Sequence, residues 1–305
     1  MKKNSHGNVE VPMDLSIVIT AYNEADNIDE LYRRLKVVLD KQCLKYEIIF
    51  VDDGSKDNTY KKILDICNID NKVRLIRLNR NFGRAVALAA GFDNSYGKII
   101  VTLDVDLQND PNDIPKFIEK IENNYDLVCG WRKNRKDPYL RKVLPSLVGN
   151  FIISRISDIK LHDFCGGFKA YKNEAAKKIS LKLYQGFHRF IPLIGKKLGL
   201  SMCEIEIKYY PRLFGYSKYG LLRIFEATID FFILHLIFFP LWKIRILEFI
   251  GIAMALWGIM FYYVYHSFTV LGTTLLIFGI STIFITIKSQ YILKSLGNVE
   301  RFFEK

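Results

Sequence analysis

Short β-rich runs alternate with helical patterns over residues 15–130, and this alternation restricts the fold more than any other feature of the sequence. The β-rich runs are LSIVIT (15–20), YEIIFV (46–51), VRLIRL (73–78), KIIVTL (98–103) and YDLVCG (125–130). Helical periodicity of apolar residues covers 25–40, 57–67, 82–93 and 112–122. Strands that alternate with helices of this length predict a mostly parallel sheet with helices on both faces.

Each of the first four predicted strands is followed by a polar cluster. In chain order the clusters are AYNEADN, DDGSKDNT, NRNFGR and DVDLQND. Ligands of parallel α/β sheets bind outside the carboxyl ends of the strands, so the clusters predict one ligand site. The sequence has neither GxGxxG nor GxxxxGK[ST], which excludes a dinucleotide fingerprint and a P-loop. We therefore expect a nucleotide held by carboxylates and a metal ion.

The charge of the chain predicts an anionic partner. The formal net charge is +12, and residues 246–305 hold only four Lys/Arg against three Glu, so nearly all of the basic excess precedes them. Nucleotide phosphates, a lipid phosphate, a membrane surface and nucleic acid all fit this charge. The five cysteines are scattered without a CxxC, so we expect reduced thiols rather than zinc or disulfides. The N-terminus MKKNSHGNVEVPMD has no apolar stretch, which argues against a cleaved signal peptide.

The segment from Phe249 to Ile287 contains no Lys, Arg, Asp or Glu over 39 residues. One helix of this length would measure about 58 Å, nearly twice the thickness of the hydrocarbon layer, about 30 Å. Two membrane-spanning helices at 247–266 and 269–288, with a break at YHSFT, fit better. A single long helix buried in a soluble protein is the alternative.

Flanking charges predict the orientation of these helices. Lys243 and Arg245 precede the first span, and Lys288 and Lys294 follow the second. The positive-inside rule then places both ends, with the catalytic domain, on the cytoplasmic side of the membrane. Richness in Lys, Ile and Asn is typical of an AT-rich prokaryotic genome, so we expect a prokaryotic cell membrane. The two helices leave apolar faces that could pair in a homo-oligomer.

The segment 221–243 is aromatic-rich but carries Glu226 and Asp230, which predicts a helix lying in the membrane interface. A third span is the alternative, and it would move the C-terminus to the opposite side. The resulting division of the chain is a tail (1–13), an α/β domain (14–220), an interfacial helix (221–245), two transmembrane helices (246–290) and a cytoplasmic tail (291–305).

Several motifs resemble the family 2 glycosyltransferases of GT-A fold. TAYNE follows the first strand, VDDGSKDNT the second and DVDLQND the fourth. CGWRKNR, HDFCGGFKAYK, GFHRFIP and PRLFGYSKYGL narrow the resemblance to the polyprenyl-phosphate branch, typified by dolichol-phosphate mannose synthase and bacterial undecaprenyl-phosphate sugar transferases. The resemblance implies a membrane-anchored, metal-dependent, inverting enzyme that moves one hexose-type sugar from a UDP- or GDP-sugar to a polyprenyl phosphate at the cytoplasmic leaflet.

The resemblance implies that Asp104, Asp106 and Gln108 bind Mg²⁺ or Mn²⁺ together with the donor diphosphate, and that Asp106 is also catalytic. Carboxylate and amide oxygens suit either ion, and the ion can neutralise a diphosphate leaving group. A solvated acidic turn, with Asp110 capping the next helix, is the alternative.

The nucleotide contacts implied by the resemblance lie after the first three strands. They are Tyr22, Glu24, Asp52, Asp53 and Arg84. A carboxylate accepts from an imide N–H of uracil or guanine and from ribose hydroxyls. Thr20 stands where the family usually has proline. Arg84 fits equally well as a surface arginine at the start of a helix.

The phosphates of donor and acceptor are expected to meet basic side chains. Planar guanidinium groups bind phosphate oxygens in a bidentate manner. The candidates are Arg132, Arg135, His188, Arg189, Arg212, Ser217 and Lys218. A solvated basic face is the alternative for 131–142, and a structural histidine for His188.

The resemblance leaves the catalytic base open. Some members of the family carry an aspartate in a TGDF-like motif, where this chain has CGGF with Gly167. Asp163, four residues earlier, is the candidate for orienting or deprotonating the acceptor. A phosphate acceptor is largely ionised near pH 7, because its second pKa is about 6, so it needs little help from a base.

Other functions compete with this interpretation. A processive polysaccharide synthase would carry QxxRW, and the nearest string here is QGFHRF. A transferase with a protein or glycan acceptor, a non-catalytic membrane scaffold or sugar-nucleotide sensor, and a nucleic-acid binder complete the alternatives. The expected partners are a nucleotide-sugar, a polyprenyl phosphate and the bilayer, without nucleic acid.

Overall fold

A computed structural model describes residues 13–133, 150–151, 153–155, 157–183, 185–212, 230, 250–260 and 270–303. The chain divides into two compact units, Met1–Lys218 and Tyr219–Lys305. The first unit contains a seven-stranded sheet. The second contains helical residues wherever it is described.

Strands and helices alternate in the first unit. The strands are β1 (Met13–Ala21), β2 (Tyr46–Asp52), β3 (Val73–Arg77), β4 (Gly97–Asp104), β5 (Leu127–Trp131), β6 (Lys169–Lys172) and β7 (Met202–Glu206). The named α-helices are α1 (Ala25–Leu39), α2 (Thr59–Ile69), α3 (Arg84–Asp93), α4 (Ile114–Glu122), α5 (Asn173–Ser180) and α6 (Ile191–Lys197). Shorter 3-10 segments occupy Pro111–Asp113 and Gln185–Phe190. The five strands and four helices predicted up to residue 130 are confirmed.

The sheet has the strand order β3-β2-β1-β4-β6-β5-β7. β1 runs parallel to both of its neighbours, β2 and β4, and β6 runs antiparallel to β4 and β5. The predicted mostly parallel sheet is confirmed. The sequence did not predict β6 and β7, because KAYK has a lysine at each end and MCEIE carries two glutamates, so neither is apolar enough to stand out as a buried strand.

The register of the parallel strands aligns their carboxyl ends. Ala21 pairs with Asp52 of β2, and Thr20 pairs with Asp104 of β4. The strand order reverses at β1, because β2 and β3 lie on one side of it and β4 on the other. Ligands bind at such switch points in open α/β sheets. The polar clusters of the sequence therefore lie where a ligand site is expected.

Helices cover both faces of the sheet, as predicted. Side chains alternate along a strand, so neighbouring residues of β1 pack on opposite faces. On one face Ile17 belongs to the same core as Ile28 of α1 and Phe117 of α4. On the other face α3 packs against β1, and the rings of Phe92 and Tyr171 meet edge to face with centroids 5.0 Å apart.

A buried carboxylate joins the amino-terminal halves of the strands. Glu47 is 2% exposed, and its Oε1 accepts from Ser16 Oγ (2.7 Å) and from Tyr96 N (2.8 Å). Its Oε2 accepts from Arg74 Nη1 (2.6 Å). Ser16 Oγ in turn accepts from Gly97 N (2.8 Å). These bonds tie β1, β2 and β3 to the residues at which β4 begins.

The second unit contains a helical stretch at 250–260 and a helix α7 (Val270–Phe303). A Cβ on Gly279 would lie 2.6 Å from Ala255 N and from Gly251 O. The two helical stretches therefore approach at backbone distance, which small residues permit.

Counting only the residues that are described, no helix combines the length and the apolar composition needed to cross a membrane. The predicted break YHSFT lies outside these residues, as does the predicted interfacial helix 221–243 apart from Asp230. Helix α7 continues beyond residue 288, where the second span is predicted to end, to Phe303.

Glu47→Gln is expected to lower the free energy of unfolding by about 2 kcal/mol, because an amide cannot accept from Arg74 and the backbone donor at once inside the sheet. Chemical unfolding followed by circular dichroism measures the loss. The matched control is Glu30→Gln on α1, whose side chain is 29% exposed and bonded to Arg33 and Arg34. That pair lies at the surface, so the control should lose under about 0.5 kcal/mol. Equal losses would contradict the role of Glu47.

Candidate active site

The loops that follow β1 and β2 are bonded to each other. Asn23 has a φ of +52°, its N–H donates to Ser55 Oγ (2.9 Å), and its Oδ1 accepts from Lys56 N (2.8 Å). Glu24 N donates to Thr59 Oγ1 (2.8 Å). The first and second polar clusters therefore form one wall of the candidate site, in which Glu24 is largely buried.

The two adjacent aspartates at the end of β2 have different partners. Asp53 Oδ1 accepts from Phe82 N (2.8 Å), and its Oδ2 accepts from Gly83 N (2.9 Å). Burial raises the pKa of Asp53, against the lowering effect of these two amides. Asp53 thus fixes the loop that leads into α3. The nucleotide contact implied for it stays a prediction.

One oxygen of Asp52 has no hydrogen-bond partner among the described residues. Its side chain is fully buried, and Oδ1 accepts from Ser55 N (3.0 Å). Its Oδ2 is buried without a hydrogen bond and lies 3.7 Å from Arg77 Nε. The Arg77 guanidinium lies 4.0 Å from the centre of the Tyr60 ring. A buried oxygen of this kind is costly without a donor or cation nearby, and the Arg77 guanidinium lies beside it. The nucleotide contact implied for Asp52 stays a prediction.

The residues predicted to bind a metal ion lie at the end of β4 and in the turn after it. Between Asp106 and Gln108 the buried Leu107 has a φ of +61°, so the chain turns sharply there. Gln108 N donates to Asp106 Oδ1 (3.3 Å), and Gln108 Nε2 donates to Tyr210 O (3.2 Å). Asp110 accepts from Asn112 N (3.0 Å) and begins the next helical segment, as the alternative interpretation of this turn expected of that residue.

Both aspartates of this turn have arginine partners. Arg84 Nη2 contacts Asp104 Oδ1. Arg212 lies between two carboxylates, with Nη2 3.0 Å from Asp106 Oδ2 and Nη1 3.6 Å from Glu24 Oε1. Burial and the neighbouring Asp104 raise the pKa of Asp106 to about 6, although Arg212 opposes the shift. Five predicted residues thus meet in one charged cluster.

The loop that precedes β6 packs against this cluster at Gly167. A Cβ at this position would lie 2.6 Å from Asp104 Oδ1 and would also collide with Arg84 Nη2. Thr102 Oγ1 donates to Gly167 O (2.9 Å) and holds the loop on β4. The buried Lys169 donates from Nζ to Gly166 O and to Phe164 O (3.3 Å). Any larger residue at 167 would therefore force the ends of the Asp104 and Arg84 side chains to move.

A second pair of contacts fixes the end of β5. Arg132 binds Asp163 in a bidentate manner, with Nε 2.6 Å from Oδ2 and Nη2 2.9 Å from Oδ1. Although burial opposes it, the Asp163 carboxylate raises the pKa of Arg132. Trp131 and His162, which directly precede Arg132 and Asp163, stack their rings with centroids 4.2 Å apart. Both oxygens of Asp163 are thus in contact with Arg132, and its implied role as a base or orienting group stays a prediction.

The oxygens at the end of β4 fit a hard divalent cation. Within the described ranges no three His, Cys, Asp or Glu side chains form a metal-binding group. Two carboxylates and one amide oxygen leave positions for water and for phosphate oxygens, which is how Mg²⁺ is usually bound. Asp104, Asp106 and Gln108 would hold the ion. The sequence interpretation of these residues is compatible with the structure and stays a prediction.

The remaining predicted residues lie in three places. Tyr22 is half-buried directly after β1. His188 and Arg189 lie on the 3-10 segment that packs against α3. The other three, Arg135, Ser217 and Lys218, lie outside the described residues. Sequence reasoning missed Lys169, Arg77 and the contact made by Gly167; the small residues of CGGFK were the available signal for the last.

Comparison with known proteins places the chain among sugar transferases. The sequence profile of glycosyl transferase family 2 matches residues 16–180. A dodecaprenyl-phosphate galacturonate synthase of Rhizobium johnstonii is 36% identical over 243 residues, which cover 78% of this chain and 71% of that protein. An undecaprenyl-phosphate 4-deoxy-4-formamido-L-arabinose transferase of Pseudomonas paraeruginosa is 33% identical over 252 residues, covering 82% and 72%. The resemblance seen in the motifs is confirmed.

A solved structure shares the fold. Glucosyl-3-phosphoglycerate synthase from Mycobacterium tuberculosis, in complex with Mn²⁺, UDP and glucosyl-3-phosphoglycerate, superimposes with a TM-score of 0.55. The match covers 73% of this chain and 79% of that chain at 18% identity. At this identity the likeness shows the fold alone, and the predicted GT-A-like α/β domain is confirmed.

Gly167→Ala is expected to reduce turnover with any substrate at least about 100-fold, because the new Cβ displaces Asp104 and Arg84. Initial-rate measurements and a thermal melt of the same sample test this. The control is Gly199→Ala, which has a φ of +71° but no atom within 4 Å of the new Cβ. The control should lose about 1 kcal/mol of stability and keep its activity. A fully active Gly167→Ala enzyme would refute the contact.

Proposed function

The chain belongs to glycosyl transferase family 2, and from that membership we propose that it transfers one hexose-type sugar from a UDP- or GDP-sugar to a polyprenyl phosphate. The product is a polyprenyl-phospho-sugar of inverted anomeric configuration. The observation that carries the proposal is the cluster of three carboxylates and two guanidinium groups at the switch point of the sheet: Glu24, Asp104, Asp106, Arg84 and Arg212. The named relatives act on polyprenyl phosphates, which supports the acceptor.

The nucleotide base is assigned to Asp52. Its buried Oδ2 requires an N–H or O–H donor, and an imide of uracil or guanine or a ribose hydroxyl supplies one. Tyr60 and Arg77 form a stacked pair beside this oxygen, and Tyr22 lies on the preceding strand end. Asp53 acts indirectly, since it holds the loop that carries Phe82 and Gly83.

The diphosphate is assigned to the charged cluster at the end of β4. Asp104, Asp106 and Gln108 would hold Mg²⁺ or Mn²⁺, and such an ion neutralises the charge that develops on a diphosphate leaving group. The structural neighbour was crystallised with Mn²⁺ and UDP, which supports this assignment. Arg84 and Arg212 supply guanidinium donors at the same place, and guanidinium groups bind phosphate oxygens well.

The acceptor phosphate is assigned to the region of Arg132, His188 and Arg189, with Arg135, Ser217 and Lys218 as further contacts. One phosphate oxygen attacks the anomeric carbon, and the electron pair of the broken C–O bond leaves on the diphosphate. No proton has to be removed from an ionised phosphate. Asp163 then serves to orient Arg132, in keeping with their bidentate pair. Holding two anionic groups together is the main task of the basic side chains.

Membrane anchoring is assigned to the second unit. The residue stretch from Phe249 to Ile287 is free of Lys, Arg, Asp and Glu. The helical residues there expose large apolar side chains, among them Leu256 (61%) and Phe278 (61%). Exposed apolar surface of this extent is typical of a lipid or protein contact. We assign it to two spans with both chain ends on the cytoplasmic side, where a nucleotide-sugar is available.

A panel of radiolabelled UDP- and GDP-sugars, incubated with the full chain, polyprenyl phosphate and Mg²⁺ or Mn²⁺, tests the reaction. The expected outcome is chloroform-extractable label from one donor and none when the divalent ion is removed with a chelator. Label that appears only as free sugar in water would exclude the lipid acceptor.

Asp106→Asn is expected to lower this transfer about 100- to 1000-fold, because the amide loses the charge that holds both the ion and Arg212. The matched control is Asp110→Asn in the same loop. Asn is as good a helix N-cap as Asp, so Asp110→Asn should keep most of the activity. Equal effects of the two substitutions would refute the special role of Asp106.

Leu256→Lys combined with Phe278→Lys is expected to release the protein from membranes on alkaline carbonate extraction, since a lysine costs about 3 kcal/mol in a spanning helix. The matched control is Val37→Lys at an exposed apolar position of α1 (48% exposed), which should stay with the membrane pellet. If the double variant also stays in the pellet, these helices are not the anchor.

A further inference from the structure

Each aspartate of the β4 turn shares an oxygen contact with an arginine from a distant part of the chain. Arg84 at the start of α3 reaches Asp104, and Arg212 beyond β7 reaches Asp106 at 3.0 Å. These side chains are partly buried, with exposures between 13% and 26%. Coulomb interactions of partly buried pairs are screened less than those at the surface. The carboxylates that would hold a divalent ion therefore already have strong counter-charges.

The second oxygens of Asp104 and Asp106 also have close neighbours. Asp106 Oδ1 accepts from Gln108 N (3.3 Å). Asp104 Oδ2 lies against Gly167, where a Cβ would collide with it. Counted over the part of the chain that the structure describes, the cluster with Glu24 holds three negative and two positive side chains, a net charge of −1. A bare divalent ion gains little from so weak a field, and it meets two guanidinium groups at short range.

A nucleotide diphosphate without an ion is disfavoured by the carboxylates of the same cluster. Its negative phosphates would approach Arg84 and Arg212, but three carboxylates surround the same guanidinium groups. When ion and diphosphate arrive together, every charge can have a partner. The carboxylates turn to the ion, and the guanidinium groups turn to the phosphate oxygens, which they bind in a bidentate manner.

We propose that Arg84 and Arg212 are exchangeable counter-charges of Asp104 and Asp106, so that a divalent ion and a nucleotide diphosphate bind cooperatively and each binds poorly alone. The arginines neutralise the carboxylates until an ion replaces them, and they then hold the diphosphate. This inference rests on the proposed function and adds a regulation of the same site: neither ligand occupies it without the other.

Cooperativity alone does not identify the arginines, because Mn²⁺ also binds nucleotide diphosphates directly. The two roles are distinguished by how removal of the arginine changes the affinity for Mn²⁺ in the absence of nucleotide. An arginine that only binds phosphate leaves the affinity of the nucleotide-free protein for Mn²⁺ unchanged when it is removed. An exchangeable counter-charge weakens that affinity, so its removal strengthens it.

The experiment measures Mn²⁺ binding to the full chain by the electron paramagnetic resonance signal of free Mn²⁺, with and without UDP or GDP. Arg212→Gln is expected to tighten Mn²⁺ binding without nucleotide about tenfold, and to weaken nucleotide binding in the presence of Mn²⁺ about tenfold. Arg84→Gln should act in the same directions. Arg212→Lys keeps the positive charge but loses the paired N–H donors of the guanidinium group. Mn²⁺ affinity without nucleotide should therefore stay near that of the original protein.

The matched control is Arg33→Gln, which removes the same charge from a side chain that is 65% exposed on α1. It should leave both affinities unchanged. Circular dichroism verifies each fold, and Arg84→Gln decides the matter if Arg212→Gln does not fold. Mn²⁺ binding without nucleotide that is unchanged, weaker or undetectable in the folded glutamine variants overturns the exchange. Failure of Mn²⁺ to bind the original protein with either nucleotide instead overturns the proposed function.

Discussion

The parallel pairing of β1 with β2 and β4 is the constraint on which the rest of the site depends. Through this pairing Asp52 and Asp104 reach the same edge of the sheet, one on each side of the end of β1. Two strand spacings separate them, or about 10 Å. This distance is within the length of a nucleotide, the ligand that we propose for the site. The Glu47 network holds the other end of the same strands, which keeps this register in place.

The charged cluster is assembled from distant parts of the first unit. Glu24 follows β1, Arg84 begins α3, Asp106 follows β4, and Arg212 lies beyond β7. No short segment of the chain holds both signs of charge in this arrangement. The site is consequently complete only when the whole α/β unit is folded, and its electrostatic balance depends on contacts made across almost 190 residues, from 24 to 212.

The sequence was sufficient for the parts of this structure that depend on local patterns. Strands such as YEIIFV and helices such as 25–39 show a clear period, and turn residues mark the strand ends. Contacts between side chains that are distant in the chain could not be predicted from these local patterns. Nothing local indicates that Asp53 binds backbone amides while Asp52 Oδ2 lies buried near Arg77 without a hydrogen bond, or that Arg132 binds Asp163. The antiparallel insertion of β6 between β4 and β5 likewise depends on tertiary pairing.

The contact of Gly167 with Asp104 bears on how this motif can vary in evolution. Glycine and aspartate codons can differ by one nucleotide, so CGGF and a TGDF-like motif are close neighbours in mutational distance. In the structure, however, a Cβ at residue 167 meets the ends of two side chains, Asp104 and Arg84, so an aspartate there requires both to take other positions. Thr102 and Lys169 hold the loop before β6 in place, so the side chains rather than the backbone have to move. The identity of residue 167 is therefore coupled to the arrangement of the charged cluster, and the two forms of the motif differ in where these two side chains lie.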